Sequence, residues 1–306
     1  MRLILRWGAG VREMVVVTTR TQDWCKGVVA GVILTAALWP LMWAQAGELV
    51  EGEGFDYDDY AVALTKHVDE NGMVDYKTMK EEVGPLHGFL DEIDELEPKA
   101  YEEWNDNEKI AFWINAYNAC TLEAIVVHYP IKPSFPARLW YPKNSLRQIS
   151  GVWDSLEFRV MDKRMTLNEI EHGELRKKFD EPRIHMALVC AAMSCPLLRN
   201  EPYTGAKLDE QLDDQSRRFL ADTDNFRIDR EQNVVFFSSI LRWFAKDFVK
   251  KYGTDEKFKG RNRKKRAVLN FISGYVDEED RRYLAEKKYN IKYIDYDWAL
   301  NEQKDK

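Results

Sequence analysis

Residues 183–196 read RIHMALVCAAMSCP, gathering one histidine and two cysteines in a chain that holds five His and four Cys in all. Three chemistries fit such a cluster. A thiolate beside an imidazole makes a nucleophile, provided a third group orients the ring. Cys190 and Cys195 enclose a short loop and can close a disulfide, whose Cα atoms prefer a separation near 5.5 Å. His172, His185, Cys190 and Cys195 are also donors of the kind that hold zinc. Their spacing lies at the edge of structural sites, however, and neither a second spaced Cys pair nor an H-x-x-x-H accompanies them. No metal site is therefore expected. Two amides join the cluster as candidates. Asn115 and Asn118 stand three apart in NDNEKIAFWINAYNACTLEAIVVHY, which places both on one side of a helix. A buried amide has to be hydrogen-bonded, so the two imply a polar cluster or a site.

The elements that position these residues follow from periodicity. The spacing predicts a helix over about 105–129, capped by Asp106 and ended at Tyr129-Pro130. It is apolar nearly all round, as a buried central helix is. Cys120 lies about four turns inside, where the helix dipole helps little, and is expected as plain core. Thr166 and Glu169 make a T-x-x-E capping box that opens a helix bearing Glu171, His172 and Arg176. Before it lies a hairpin turning at Asp162-Lys163. Ile184–Cys190 reads as a buried strand. In a straight strand, His185 and Cys190 would lie about 16 Å apart on opposite faces. They can pair only if the strand ends near Leu188. NVVFFSSI and KKYNIKYIDYDWALN read as further strands, and Asp295 or Asp297 on the last one could orient a histidine. Residues 76–96 read as a helix with a weak point at Gly84-Pro85. The proline- and aromatic-rich stretch 131–154 is expected as an ordered loop that borders a cleft. Together these elements predict an α+β fold, helix-dominated, with a buried central helix on a small, mainly antiparallel sheet.

The amino end has a different character. Arg2, Arg6, Arg12, Arg20 and Lys26 precede the apolar run GVVAGVILTAALWPLMW and Ala44-Gln45-Ala46. That order describes a secretory signal peptide over residues 1–46, with Met14 as an alternative start. The expected product is one globular domain, 47–306, periplasmic or secreted, with no stable membrane span after cleavage. Its charge falls from −7 to −10, because five Lys/Arg and two Asp/Glu leave with the signal. So acidic a chain does not fit nucleic acid, whose phosphates call for a basic face. The basic run GRNRKKR at 260–266 reads as a solvated helix start. No Gly-rich phosphate loop, nucleophile elbow or EF-hand is present, and no cofactor is expected.

Several stretches taken in order carry a family likeness: KIAFWINAYNACTLEAI, MTLNEIEHGELR, RIHMALVCAAMSCPLL, YTGAKLDEQLD, FFSSILRWFAKDF and IKYIDYDWALN. They resemble the domain-of-unknown-function family 547 from about Asp56 to Asn301, with a loose similarity to papain- and transglutaminase-like folds. The resemblance marks Asn115, Tyr117, Asn118, Glu171, His172, His185, Cys190, Cys195 and Pro196. Two functions follow as expectations. In the first, the protein is a thiol- and His-dependent hydrolase or transferase acting on an amide, peptide or small thiol compound. His185 would be its base, Cys190 or Cys195 its thiol, Asn115 or Asn118 the orienting or oxyanion group, and Tyr117, Glu171 and His172 would bind substrate. In the second, it is a non-catalytic protein that binds a small molecule or peptide, with Cys190 and Cys195 bridged.

Overall fold

The computed structural model describes residues 54–304, so the expected signal segment lies outside the described residues. The chain begins with α1 (Asp58–His67), α2 (Tyr76–Glu81), α3 (Gly84–Glu95), α4 (Pro98–Glu103) and the long α5 (Asp106–His128). A hairpin of β1 (Glu157–Val160) and β2 (Lys163–Thr166) leads into a π-helical stretch, Glu169–Leu175, which continues as α6 (Arg176–Lys178). A 3-10 turn over Pro182–Met186, an irregular loop and α7 (Leu208–Ala221) come next. Then follow β3 (Phe226–Asp229), β4 (Val234–Phe237), α8 (Ile240–Trp243), α9 (Phe248–Tyr252), α10 (Arg263–Ser273), α11 (Glu278–Glu286) and β5 (Asn290–Tyr293). The fold is α+β and helix-dominated. Its sheet is split in two: β1 and β2 pair antiparallel, while β4 pairs antiparallel with β3 and parallel with β5.

Helix α5 organises the larger core. Every residue from Ile110 to Leu122 is buried. It is long and apolar enough to cross a membrane, yet most of it is enclosed by protein, as a core helix must be. Its neighbours are chiefly helical: α2, α3, α7, the π-helical stretch and a turn at Gly205–Lys207. Asn105, not Asp106, caps it. Asn105 has the extended backbone of a cap, and its Oδ1 accepts the Glu108 N–H at 3.0 Å while Glu108 accepts the Asn105 N–H at 2.9 Å. The helix expected over 76–96 breaks at Glu82-Val83, and Gly84-Pro85 open α3. Asn71-Gly72 makes its turn with Gly72 at φ +71°, and a Cβ there would sit 2.7 Å from the Leu198 nitrogen.

A second core joins β3, β4 and β5 to α8–α11, and the segment 182–196 lies between the two. Ile184, Ala187 and Leu188 pack into the first core and Met186 into the second. The strand expected over Ile184–Cys190 is absent. Pro182 starts a 3-10 turn instead, and side-chain amides take the place of a sheet partner. Asn118 donates to the Ala187 carbonyl at 3.0 Å and accepts the Val189 N–H at 2.9 Å. From α7, Gln215 donates to the carbonyls of Met186, at 3.1 Å, and Leu197, at 2.7 Å. A short apolar run looks alike in a buried strand and in a buried turn, so periodicity alone could not separate them.

The capping box on α5 sets one expectation. Asn105→Ala removes the side-chain acceptor for the Glu108 N–H and should cost about 1 kcal/mol of unfolding free energy in a urea titration. An unchanged midpoint would mean that the box contributes nothing.

Candidate functional site

The residues marked in the sequence converge where the two cores meet, around a cavity of about 370 Å³. Tyr117, Glu171, His172, His185, Cys190 and Cys195 all line it. Asn115 and Asn118 do not. Asn118 holds the 187–189 backbone, and Asn115 does the same for Tyr203, donating to its carbonyl at 2.7 Å and accepting its N–H at 3.0 Å. The expected oxyanion role is corrected to one of position: these carboxamides are spent on buried backbone.

The two sulfurs are joined. Cys190 and Cys195 form a disulfide with Cα atoms 6.2 Å apart, inside the usual range. This favours the bridge among the three chemistries of the opening stretch. Among the described residues no group of three His, Cys, Asp or Glu could hold a metal ion. Cys190 is partly exposed, whereas Cys195 is 5% exposed. The Cys195 Sγ accepts the Cys190 N–H at 3.0 Å and the Tyr296 hydroxyl at 3.1 Å. The same hydroxyl lies 3.2 Å from the Cys190 Sγ. Ala191, at φ +55°, turns the chain between the cysteines, and so His185 and Cys190 reach one cavity. Cys120 is the buried free thiol expected of core, and burial pushes its pKa up.

Beside the bridge runs a polar chain that sequence reasoning recovered only in part. His185 Nε2 lies 2.9 Å from Asp247 Oδ2, and its ring stacks on Phe244 with centroids 3.9 Å apart. Arg176 grips the same carboxylate, Nε to Oδ2 at 2.6 Å and Nη2 to Oδ1 at 3.2 Å, and its Nη1 reaches His172 Nδ1 at 2.7 Å. Protonation states follow from who can donate. Hydrogen bonds from His185 and Arg176, outweighing burial, hold Asp247 well below the usual carboxylate range. As an anion it accepts, so His185 Nε2 carries a proton. Burial lowers the His185 pKa against the pull of Asp247, which leaves a neutral ring with a basic Nδ1. Arginine cannot accept, so His172 Nδ1 is unprotonated, in keeping with a pKa lowered by burial and by Arg176. Glu171 behaves in the opposite way to Asp247. Burial raises its pKa to about 7, Arg176 opposing and Asp247 adding to the rise, and its Oε1 is buried without a hydrogen-bond partner.

The walls are aromatic: Trp153, Trp243, Phe244, Tyr296 and Trp298. The loop at 131–154 borders the cleft, as expected, through Arg147 and Trp153. The Arg147 guanidinium lies 4.1 Å from the Trp298 ring centroid, 4.7 Å from Trp153 and 5.1 Å from Tyr141. It has no ion-pair partner among the described residues, and its Nε is buried without a hydrogen bond. Sequence reasoning missed Arg147, Asp247 and Tyr296. It looked for an orienting acid at Asp295 or Asp297, but Asp297 Oδ1 accepts the Ala299 N–H in its own turn. The available signal was Asp247 within FFSSILRWFAKDF, a lone acid among large aromatics.

Residues 101–220 match the family model described as "Protein of unknown function, DUF547". That segment belongs to DUF547. No curated protein and no solved structure matches the chain, so the papain- and transglutaminase-like similarity gains no support. The DUF547 segment supplies Tyr117, Arg147, Glu171, His172, Arg176, His185 and both bridged cysteines. Asp247 and the aromatic walls Trp243, Phe244, Tyr296 and Trp298 come from beyond it, in stretches the family likeness had also included.

Two expectations test this geometry. Asn118→Ala orphans a buried carbonyl and a buried N–H, which should cost about 2–5 kcal/mol in denaturant unfolding. A loss below 1 kcal/mol would show that the loop finds other partners, on the order of one ordinary hydrogen bond. Glu171 has a folded-state pKa, about 7, above its ordinary 4.5. The native state therefore holds more protons between those values, and the associated stability, roughly 3 kcal/mol, is present below pH 4.5 and lost as pH rises through 7. The stability of wild type minus that of Glu171→Gln should fall across this window. A flat difference would place the titration elsewhere.

Proposed function

We propose that the cavity carries out thiol–disulfide exchange on a small thiol compound, with Cys190–Cys195 as the redox pair. The observation that carries this reading is the asymmetry of the bridge. The sulfur of Cys190 belongs to the partly exposed residue, and the Cys195 sulfur accepts the Cys190 N–H while the Tyr296 hydroxyl lies within reach of both sulfurs. His185 Nδ1 takes the proton of the incoming thiol. The thiolate attacks Cys190 Sγ, an S–S bond to Cys190 forms, and the bridge breaks with its electron pair leaving on Cys195. That thiolate is born where the Cys190 N–H and the Tyr296 O–H already point. A second thiolate attacks the substrate sulfur of the mixed disulfide. One small disulfide is released and both cysteines are left reduced. Exchange with another disulfide restores the bridge.

The cavity volume suits a small molecule. Arg147, which lines the cavity, offers a charge for a carboxylate on it. A secreted or periplasmic location, which we also propose, would supply the oxidising conditions such a bridge needs. The hydrolase reading requires a free thiol beside His185, whereas the hydrogen-bond partner of His185 is Asp247 and the thiols are bonded to each other. A binding protein with an inert staple is the second reading, favoured by the short loop that the bridge closes.

Incubation with a small thiol such as glutathione, followed by acid quench and intact-mass analysis, separates the two. Exchange predicts a glutathione adduct on Cys190 that accumulates in Cys195→Ser treated with oxidised glutathione. It also predicts that Tyr296→Phe slows bridge opening roughly 10- to 100-fold, the kinetic equivalent of one hydrogen bond to a charged group. A bridge that stays closed in millimolar thiol, or opens equally fast in Tyr296→Phe, leaves the staple.

A further inference from the structure

A cleft of about 970 Å³ lies away from the disulfide, between the loop before α10, helices α10 and α11, and the turn into β5. Its lining contains Lys257, Lys259, Arg261, Arg281, Lys287 and Lys288, against Glu256 as the one acidic lining residue. A chain of net charge −7 thus gathers six cations around one concavity. Their neutralisation is slight. Arg281 is paired with Glu278 at 2.9 Å. Lys257 reaches only the neutral Asn270 amide, at 3.2 Å, and Arg261 bonds to the Tyr289 carbonyl with its guanidinium 4.7 Å from that ring. Lys259, Lys287 and Lys288 have no ion-pair partner among the described residues. Phe258 and Tyr289 contribute apolar surface to the cleft, and the cations around it are exposed except for the half-buried Arg261.

Like charges held together repel, and the repulsion is relieved by a counter-charge of matching density. A single carboxylate would leave most of these cations uncompensated. Ammonium groups act as point charges toward phosphate oxygens, and phosphate monoesters carry nearly two charges each. We infer that this cleft binds clustered phosphate groups, in a free polyphosphorylated molecule or in the headgroups of an anionic lipid surface. Of the basic run at 260–266 only Arg261 lines the cleft; Arg263 and Lys264 stand exposed at the start of α10, the solvated helix start expected from the sequence. The cleft lies outside the segment matched by DUF547.

The test uses the full chain with tripolyphosphate, citrate as a carboxylate control, and vesicles of phosphatidylcholine with and without phosphatidylglycerol. Binding of tripolyphosphate by calorimetry, or of the anionic vesicles by sedimentation, should weaken as salt is raised. It should also weaken at least about tenfold in Lys287→Glu/Lys288→Glu, since both charges facing the ligand are reversed. Neither lysine has an ion partner among the described residues, so the double variant should still fold, and a native circular dichroism spectrum with a cooperative melt serves as the folding control. Whichever probe shows this dependence identifies the source of the phosphate. The inference is overturned if neither probe binds, if citrate binds as tightly as tripolyphosphate, or if the double variant binds as wild type does.

Discussion

The carboxamide of Asn118 is the constraint on which the rest of the site depends. It is held in the middle of a helix buried on every face, and it spends both ends on the chain at Ala187 and Val189. A segment tied at those two points needs no sheet partner. It can leave the extended state, turn at Ala191, and bring a histidine and a disulfide to one wall. Buried backbone groups otherwise demand a partner strand or helix. Two amide side chains, Asn118 and Gln215, replace that partner and free the loop to be irregular where chemistry needs it.

Around this clamp the electrostatics divide two carboxyl groups. Asp247 receives Arg176 and His185 and stays an anion. Glu171, close to the same guanidinium but chiefly subject to burial, is poised to hold its proton near neutrality. Burial keeps the imidazoles of His172 and His185 neutral against the pull of Asp247, and the partner of each ring fixes the direction of its hydrogen bond. A site that keeps one acid charged and another half-protonated can accept and return protons within a narrow pH range.

Much of this was legible from residue types. The buried helix, the hairpin, the Thr166–Glu169 box and the cluster of His185 with two cysteines all show in local pattern, since each rests on contacts within a few residues. The shape of 184–190 was not legible, because what bends it is an amide 71 residues away in sequence. Asp247 was missed for the same reason: nothing near it in the chain shows that it will meet His185 and Arg176. Nothing near Arg147 in the chain marks it either, because Trp298, which it faces at 4.1 Å, comes from the far end of the described chain.

The stretch after β5 is a strap. It runs from the second core, past the disulfide with Tyr296 and Trp298, pairs Leu300 with Ala192, and lays Glu302 beside Val74. Asn301 then bonds to the Tyr76 hydroxyl at 2.7 Å and to the Gly72 carbonyl at 3.0 Å, more than 200 residues back. Seen from the ribosome, this gives the molecule an order of events. The helix, the loop and both cysteines are made long before the hydroxyl that bridges their sulfurs and the indole that covers Arg147. Until the chain has grown past Gln303, the sulfurs have no finished cavity around them. Completion of the cavity thus waits for the strap.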